Sequence, residues 1–105
     1  MIRTTEERRR AIVKGQLVIH HGDVLAPSGE FCCCDVLIQD GRIQEVGPSL
    51  EAEAVIHAAG GYVLPGLIEL HTHGIHTVSA ETGDLREYAR IEASFGATTF
   101  YPTLF

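Results

Sequence analysis

The pattern of apolar and polar positions divides the chain into two parts with different predicted architectures. Up to about residue 64, apolar residues occur in short runs that glycine, proline and aspartate interrupt. Short strands at this spacing are typical of a small β-sandwich or roll. After Pro65 the pattern changes to strand, helix and strand, which predicts one β-α-β unit with parallel strands.

The first part is predicted to be a series of strands joined by turns. Residues 17–19 form a short strand, and a turn is expected at residues 21–23, His-Gly-Asp. Asp40-Gly41 is a strong signal for a two-residue hairpin. The other strands are predicted at residues 24–26, 31–39, 42–47, 55–56 and 62–64.

In the second part, a buried strand is expected at residues 67–70 and another strand at residues 98–101. A helix is predicted between them, from about Asp84 to Phe95. Asp84 and Glu87 can cap its first turn, and Gly96 can end it. Its expected apolar stripe consists of Leu85, Tyr88, Ile91 and Phe95.

Two histidines, His71 and His73, follow the strand of residues 67–70. Side chains two positions apart on a strand share a face, with Cα atoms roughly 6.5 Å apart. Two imidazoles at this separation can converge on one divalent ion with the ligand preference of zinc. We therefore predict His71 and His73 as metal ligands, the alternative being two strand histidines with ordinary hydrogen bonds. Glu69 shares their face and is a candidate for a supporting role.

The remaining histidines are predicted to be structural or exposed. His20 and His21 are expected at a strand end beside the turn, and His57 within a strand. His76 is expected in an exposed loop, three residues beyond the pair. None of these four is predicted to bind metal.

The composition excludes several classes of partner. The 105 residues are 45% apolar and 21% charged, as in soluble globular proteins, and the net charge is −6. Without a basic patch, nucleic acid is not an expected partner. No apolar run approaches the ~20 residues of a membrane span, so we expect a cytoplasmic protein.

Three cysteines are consecutive, at Cys32, Cys33 and Cys34. Neighbours on a strand face opposite sides, so a closed thiolate metal site is not expected. A disulfide framework is also not expected from one adjacent cluster. The predicted role is that of small apolar strand residues.

Four segments carry a resemblance to a known family. Residues 65–74, Pro-Gly-Leu-Ile-Glu-Leu-His-Thr-His-Gly, resemble the first barrel strand of the amidohydrolase superfamily, whose HxH motif supplies two metal ligands. Residues 35–43 and 55–58 are similar to the small β domain that precedes the barrel. Residues 96–104 resemble the second barrel strand of the N-acetylglucosamine-6-phosphate deacetylase branch, although the loop at 75–79 departs from that branch.

The resemblance implies an α/β fragment with three parts. Residues 1–15 are an N-terminal extension without an assigned role, and residues 16–64 are a small β-sandwich-like domain. Residues 65–105 start a TIM-type (β/α)₈ barrel with its first β-α-β unit. Because such a barrel takes ~250 residues, we expect the chain to be the N-terminal piece of a larger protein. In the family the catalytic aspartate and the remaining ligands come from later strands, so no catalytic residue is expected within this chain.

The implied activity of the full-length protein is hydrolysis of an amide C–N bond by metal-activated water, with zinc as the expected ion. An N-acetylated amino sugar phosphate is the substrate class that the deacetylase branch implies, and a homo-oligomer is possible. The alternative is a cyclic amidase similar to dihydroorotase or hydantoinase. A catalytically inactive fragment is the competing class, and the 105 residues alone are expected to be inactive.

Overall fold

The computed structural model describes residues 15–104, and the chain divides into two compact units, Met1–Leu64 and Pro65–Phe105. Residues 1–14 of the expected N-terminal extension lie outside the described range. No helix in the described range is long and apolar enough to cross a membrane.

The strands of the N-terminal unit form one five-stranded sheet in the order β3-β2-β1-β4, with β5 also paired to β1. β2 is antiparallel to both β1 and β3, whereas β4 and β5 are parallel to β1. The strands are β1 (Gln16–Leu25), β2 (Phe31–Gln39), β3 (Arg42–Gly47), β4 (Ala54–His57) and β5 (Tyr62–Val63).

The predicted sandwich-like arrangement is wrong for the described residues, because all five strands belong to this one sheet. The physical reason is the length of β1. Its ten residues provide a long edge on which β4 and β5 pair one after the other. The short strands that the sequence pattern predicts separately are therefore paired with one common strand, β1.

The turn predicted at residues 21–23 is also wrong, because β1 continues through it as a β-bulge. Ile19 pairs with Val36 and Gly22 pairs with Cys34, so three steps along β1 match two along β2. A bulge of this kind leaves one extra residue on its strand and re-aims the neighbouring side chains. The irregular backbone conformation lies at His21, whose φ is 56°.

The bulge is held by the buried carboxylate of Asp35. Its Oδ1 accepts a hydrogen bond from the backbone N–H of His21 at 3.0 Å, and its Oδ2 accepts one from the N–H of Leu50 at 3.1 Å. Nδ1 of His20 lies 3.0 Å from the same Oδ2. The hydrogen bond from His21 is the main cause that lowers the pKa of Asp35, against the opposing effect of burial.

The hairpin predicted at Asp40-Gly41 is confirmed. Both residues have positive φ, 50° and 75°, as a type I′ turn requires. The turn joins β2 and β3 in antiparallel register, with Gln39 opposite Arg42. The predicted strands at 31–39 and 42–47 are confirmed as β2 and β3.

The expectation for the cysteines is wrong for two of the three. Cys32 and Cys34 form a disulfide, with Cα atoms 5.6 Å apart. The physical reason is that residues two apart on a strand share a face, whereas the prediction considered only adjacent residues. Cys33 is exposed and has a free thiol.

The C-terminal unit contains the predicted strand, helix and strand. β6 (Leu67–Thr72) and β9 (Ala97–Pro102) pair in parallel, and α1 (Leu85–Ser94) lies between them in the chain. The loop after β6 also contains a short antiparallel hairpin, β7 (Gly74–Ile75) and β8 (Val78–Ser79), which the sequence pattern did not predict.

The predicted cap at Asp84 and the predicted helix ending at Gly96 are confirmed, while Glu87 is located in the first turn only. The Asp84 carboxylate accepts a hydrogen bond from the N–H of Arg86 at 2.8 Å. Gly96 follows the last turn with a φ of 92°, and its N–H donates to the carbonyl of Ala93. A left-handed glycine in this position is a common helix ending.

The core of this unit forms where α1 packs against β7, β8 and β9. Its buried members are Val78, Ala80 and Tyr88. The Tyr88 ring is fully buried and stacks on Phe100 with centroids 5.0 Å apart. The Tyr88 hydroxyl also forms a hydrogen bond of 2.5 Å with the Thr72 hydroxyl on β6.

Two expectations about apolar residues of this unit are wrong. Leu85 and Phe95 of the predicted helix stripe are 49% and 64% exposed. The strand predicted to be buried is also exposed, with Leu70 at 74%. The reason is that β6 pairs with one strand, β9, among the described residues, and α1 packs against β9, β7 and β8.

We predict that Asp35→Asn destabilises the chain and flattens its acid dependence. The pKa of Asp35 is lowered on folding, so its stabilisation is present above the usual value of 3.8 and is lost as the pH falls through the folded pKa. Urea unfolding at neutral and acid pH measures both effects. Glu45→Gln, which changes an exposed carboxylate on β3, is the matched control. Equal acid dependence in the wild type and Asp35→Asn would contradict the prediction.

We predict that Tyr88→Phe lowers the free energy of unfolding by ~1 kcal/mol, because the Thr72 hydroxyl loses its partner while the stacking on Phe100 is retained. Tyr101→Phe removes the same atom from a side chain that is 57% exposed and should have little effect. Chemical denaturation of both variants tests this. Equal losses in the two variants would refute a specific role for the hydroxyl pair.

Candidate metal centre

The side chains of His71 and His73 meet at the carboxyl end of β6. His71 lies within the strand and His73 directly follows it. Their Nε2 atoms are 2.9 Å apart, and the ring planes are inclined at 80°. Two nitrogens that bind one Zn²⁺ tetrahedrally at ~2.0–2.1 Å lie roughly 3.3 Å apart. The pair therefore has almost the separation that a shared ion requires.

Thr103, just beyond β9, contacts both imidazoles. Nδ1 of His73 is 2.8 Å from the Thr103 carbonyl oxygen, and Nδ1 of His71 is 3.4 Å from the Thr103 hydroxyl. A carbonyl can only accept, so Nδ1 of His73 carries the hydrogen and its Nε2 keeps a lone pair. This is the arrangement in which a backbone carbonyl orients a metal-binding histidine.

Backbone hydrogen bonds fix Thr103 relative to the pair. The N–H of Thr103 donates to the carbonyl of Thr72, the residue between the two histidines, at 2.7 Å. The side chain of Thr72 bonds to the buried Tyr88. The residue between the ligands is thus anchored on both its backbone and its side chain, which limits the movement of the imidazoles.

Glu69 contributes a carboxylate to the same end of the strand. Its Oε1 accepts a hydrogen bond from the backbone N–H of His71 at 3.1 Å. This hydrogen bond agrees with the supporting role considered for Glu69, because it fixes the backbone of the candidate ligand His71. The contact is solvent-exposed, so its effect on stability is small.

The sequence predicted the histidine pair as metal ligands and did not point to Thr103 or Thr72. The signal for Thr103 is its place directly after the second strand. In parallel pairing this position lies at the same edge of the sheet as the end of the first strand. No sequence pattern pointed to Thr72, because the residue that its hydroxyl bonds, Tyr88 on the helix, is 16 residues away.

The other histidines lie elsewhere in the fold. His76 is exposed in the loop after β6, as predicted, with a φ of 49° and its ring 5.6 Å from that of Phe95. His20 and His21 lie at the bulge of β1, not at a strand end, and His57 ends β4. Across residues 15–104, no group of three or more His, Cys, Asp or Glu side chains is arranged to hold a metal ion. The described residues therefore provide two candidate ligands at the end of β6.

Comparisons with known proteins find several enzymes whose sequences are similar to this chain, whereas no family model matches it. A D-hydantoinase of Ralstonia pickettii is 40% identical over 86 residues, which are 79% of this chain and 18% of the relative. An adenine deaminase of Listeria monocytogenes is 36% identical over 87 residues, 82% of this chain and 14% of the relative. A dihydroorotase of Streptococcus pneumoniae is 36% identical over 86 residues, 79% of this chain and 20% of the relative.

A solved structure shares the fold. L-hydantoinase (dihydropyrimidinase) from Arthrobacter aurescens matches with a TM-score of 0.50 and 24% sequence identity, over 56% of this chain and 14% of that protein. The chain thus spans a fifth or less of the length of each of these relatives. The sequence similarity to the three named enzymes thus covers about four fifths of this chain, and the solved structure shares its fold over 56% of the chain.

Proposed function

We propose that this chain is the N-terminal part of a metal-dependent amidohydrolase and that His71 and His73 are two of its metal ligands. The observation that carries the proposal is the 2.9 Å separation of the two Nε2 atoms at the carboxyl end of a parallel strand. Active sites of parallel α/β barrels lie at this end of the strands. The names of the relatives, D-hydantoinase, adenine deaminase and dihydroorotase, support a hydrolytic enzyme as the reaction class.

In this proposal, β6, α1 and β9 are the first β-α-β unit of a (β/α)₈ barrel, and the sheet of residues 16–64 is the small domain that precedes it. Parallel pairing and the intervening helix support the first part. The exposed apolar side chains of β6 support it further, because strands in such barrels are covered on both faces. Later barrel strands would supply the covering residues and the remaining ligands.

The chemical roles within the chain follow from the contacts. A bound divalent ion, with zinc the expected one, supplies Lewis acidity that polarises an amide carbonyl and acidifies water. His71 and His73 would hold it through Nε2, and the Thr103 carbonyl keeps His73 in the required tautomer. Two ligands leave a coordination sphere incomplete, so the 105 residues alone are expected to be inactive.

Two substrate classes are proposed for the full-length protein. The names of the relatives favour a cyclic amide, since D-hydantoinase and dihydroorotase are both among them. The resemblance of residues 96–104 to the second barrel strand of the deacetylases favours an N-acetylated amino sugar phosphate. Both reactions break an amide C–N bond of a small molecule at a site of the same design, so substrate assays have to decide between them.

We predict that replacing both His71 and His73 by alanine in the full-length protein removes the metal of this site and abolishes amide hydrolysis. The reason is the loss of both Nε2 donors. Elemental analysis after dialysis gives the metal content per chain. His76→Ala, which removes an exposed histidine from the following loop, is the matched control and should retain metal and activity. Unchanged metal content in the double variant would refute the ligand assignment.

We predict that the full-length protein hydrolyses cyclic amides, measured as ring opening of hydantoin and dihydroorotate by the loss of their ultraviolet absorbance. Acetate release from N-acetylglucosamine-6-phosphate, measured by an enzyme-coupled assay, tests the other class. Turnover of the sugar phosphate alone would overturn the cyclic-amide assignment and support the deacetylase branch. Absence of both activities in metal-loaded protein would count against both substrate classes.

A further inference from the structure

A second group of histidines lies in the N-terminal unit, and we propose that it binds a divalent transition metal ion with the ligand preference of Zn²⁺. The group, called the histidine cluster below, consists of His20 and His21 on β1 and His57 on β4. Its residues are distinct from the pair at the end of β6, and the proposal does not rest on the proposed function.

The bulge in β1 is the feature that brings two of these imidazoles together. Neighbours on a regular strand point to opposite faces, so adjacent histidines would normally be separated by the sheet. At the bulge, the rings of His20 and His21 have centroids only 5.4 Å apart. His57 is the direct partner of His20 in the parallel β1–β4 register. Backbone geometry alone therefore gathers three imidazoles from two strands.

The distances between the rings suit a shared ion. The His57 ring is 5.9 Å from that of His20 and 6.2 Å from that of His21. Three imidazoles on one tetrahedral Zn²⁺ have centroids roughly 5.2 Å apart, given a metal–nitrogen distance of ~2.0–2.1 Å. The observed centroid separations exceed this value by about 1 Å or less, so the three rings are close enough to share an ion once their nitrogens turn toward one point.

The side chain of Asp35 lies beside the ring of His20. Its Oδ2 is 3.0 Å from Nδ1 of His20, and the same carboxylate accepts the N–H of His21. Nδ1 of His20 is buried and has no hydrogen-bond partner of suitable geometry among the described residues. A rotation of the ring would form the carboxylate hydrogen bond that orients a metal-binding histidine and makes its other nitrogen a better donor to metal.

A cavity of about 480 Å³ adjoins the cluster and offers further donors. Its lining includes all three histidines and contributes the thiol of Cys33 and the carboxylate of Glu51. Imidazole, thiolate and carboxylate are the ligand types of zinc sites. In the structure the His21 and His57 rings are within 11° of parallel, and the donors do not yet point at one centre. Both side chains are exposed, so they can rotate inward when an ion binds.

The test separates this site from the pair at the end of β6. The 105-residue chain carrying His71→Asn and His73→Asn is freed of metal and titrated with Zn²⁺ in a calorimeter. We expect it to bind one Zn²⁺ per chain. Adding His21→Asn should weaken that binding by roughly 100-fold, the upper end of the loss seen when only a supporting residue is removed. Asparagine tolerates the positive φ at this position, so the bulge is retained.

His76→Asn in the same background is the control and should leave the dissociation constant unchanged. Nuclear magnetic resonance of the histidine rings gives a second readout in the chain with all three cluster residues. Zn²⁺ should shift the resonances of His20, His21 and His57 together and leave those of His76 in place. Absence of Zn²⁺ binding in the His71→Asn, His73→Asn chain would overturn the proposal, as would equal affinity with and without His21. Neither result bears on the pair at the end of β6.

Discussion

The parallel pairing of β6 with β9 is the constraint on which the candidate metal centre depends. It brings the ends of two strands to one edge, so that Thr103 reaches residues 71–73 although it lies 30 positions further along the chain. The close approach of the strands also explains Gly66. A Cβ atom there would lie 2.6 Å from Cβ of Thr98, a distance that no side chain could accommodate without a shift of the backbone. A glycine at this position is therefore required by the close pairing of β6 with β9.

In the N-terminal sheet, the carboxylate of Asp35 is the interaction on which the local structure depends. Asp35 accepts backbone hydrogen bonds from His21 and from Leu50, which lies 15 residues away, and it contacts the ring of His20. One buried charge thereby ties the bulge of β1 to the segment that follows β3. Because each backbone donor stabilises the ionised form, folding and the low pKa of this group have the same cause. The proposed histidine cluster depends on the same contacts, since without the bulge its adjacent histidines would face opposite sides.

The features that the sequence predicted correctly are those that local chemistry determines. Asp40-Gly41 forms a type I′ hairpin because both residues tolerate positive φ, and Asp84 caps α1 through a contact two residues away. The spacing of His71 and His73 similarly follows from the geometry of one strand. The errors concern long-range effects. The bulge at residues 20–21 depends on Asp35, and the exposure of Leu70 depends on which elements pack against β6. Neither can be read from neighbouring residues.

The hydrogen bonds of the candidate centre show why an ion suits it. Since Nδ1 of His73 donates to the Thr103 carbonyl, its Nε2 has only a lone pair. The 2.9 Å contact then requires His71 to carry its hydrogen on Nε2, which leaves Nδ1 of His71 as an acceptor facing the Thr103 hydroxyl. One proton thus lies between two nitrogens that are otherwise aimed at the same point. A divalent ion held by both Nε2 atoms would require the hydrogen of His71 to lie on Nδ1. This tautomer keeps both outer contacts with Thr103, because the hydroxyl can donate or accept and the carbonyl is unchanged. Binding of an ion by the two neutral imidazoles would therefore change the tautomer of His71 without a net loss of a proton.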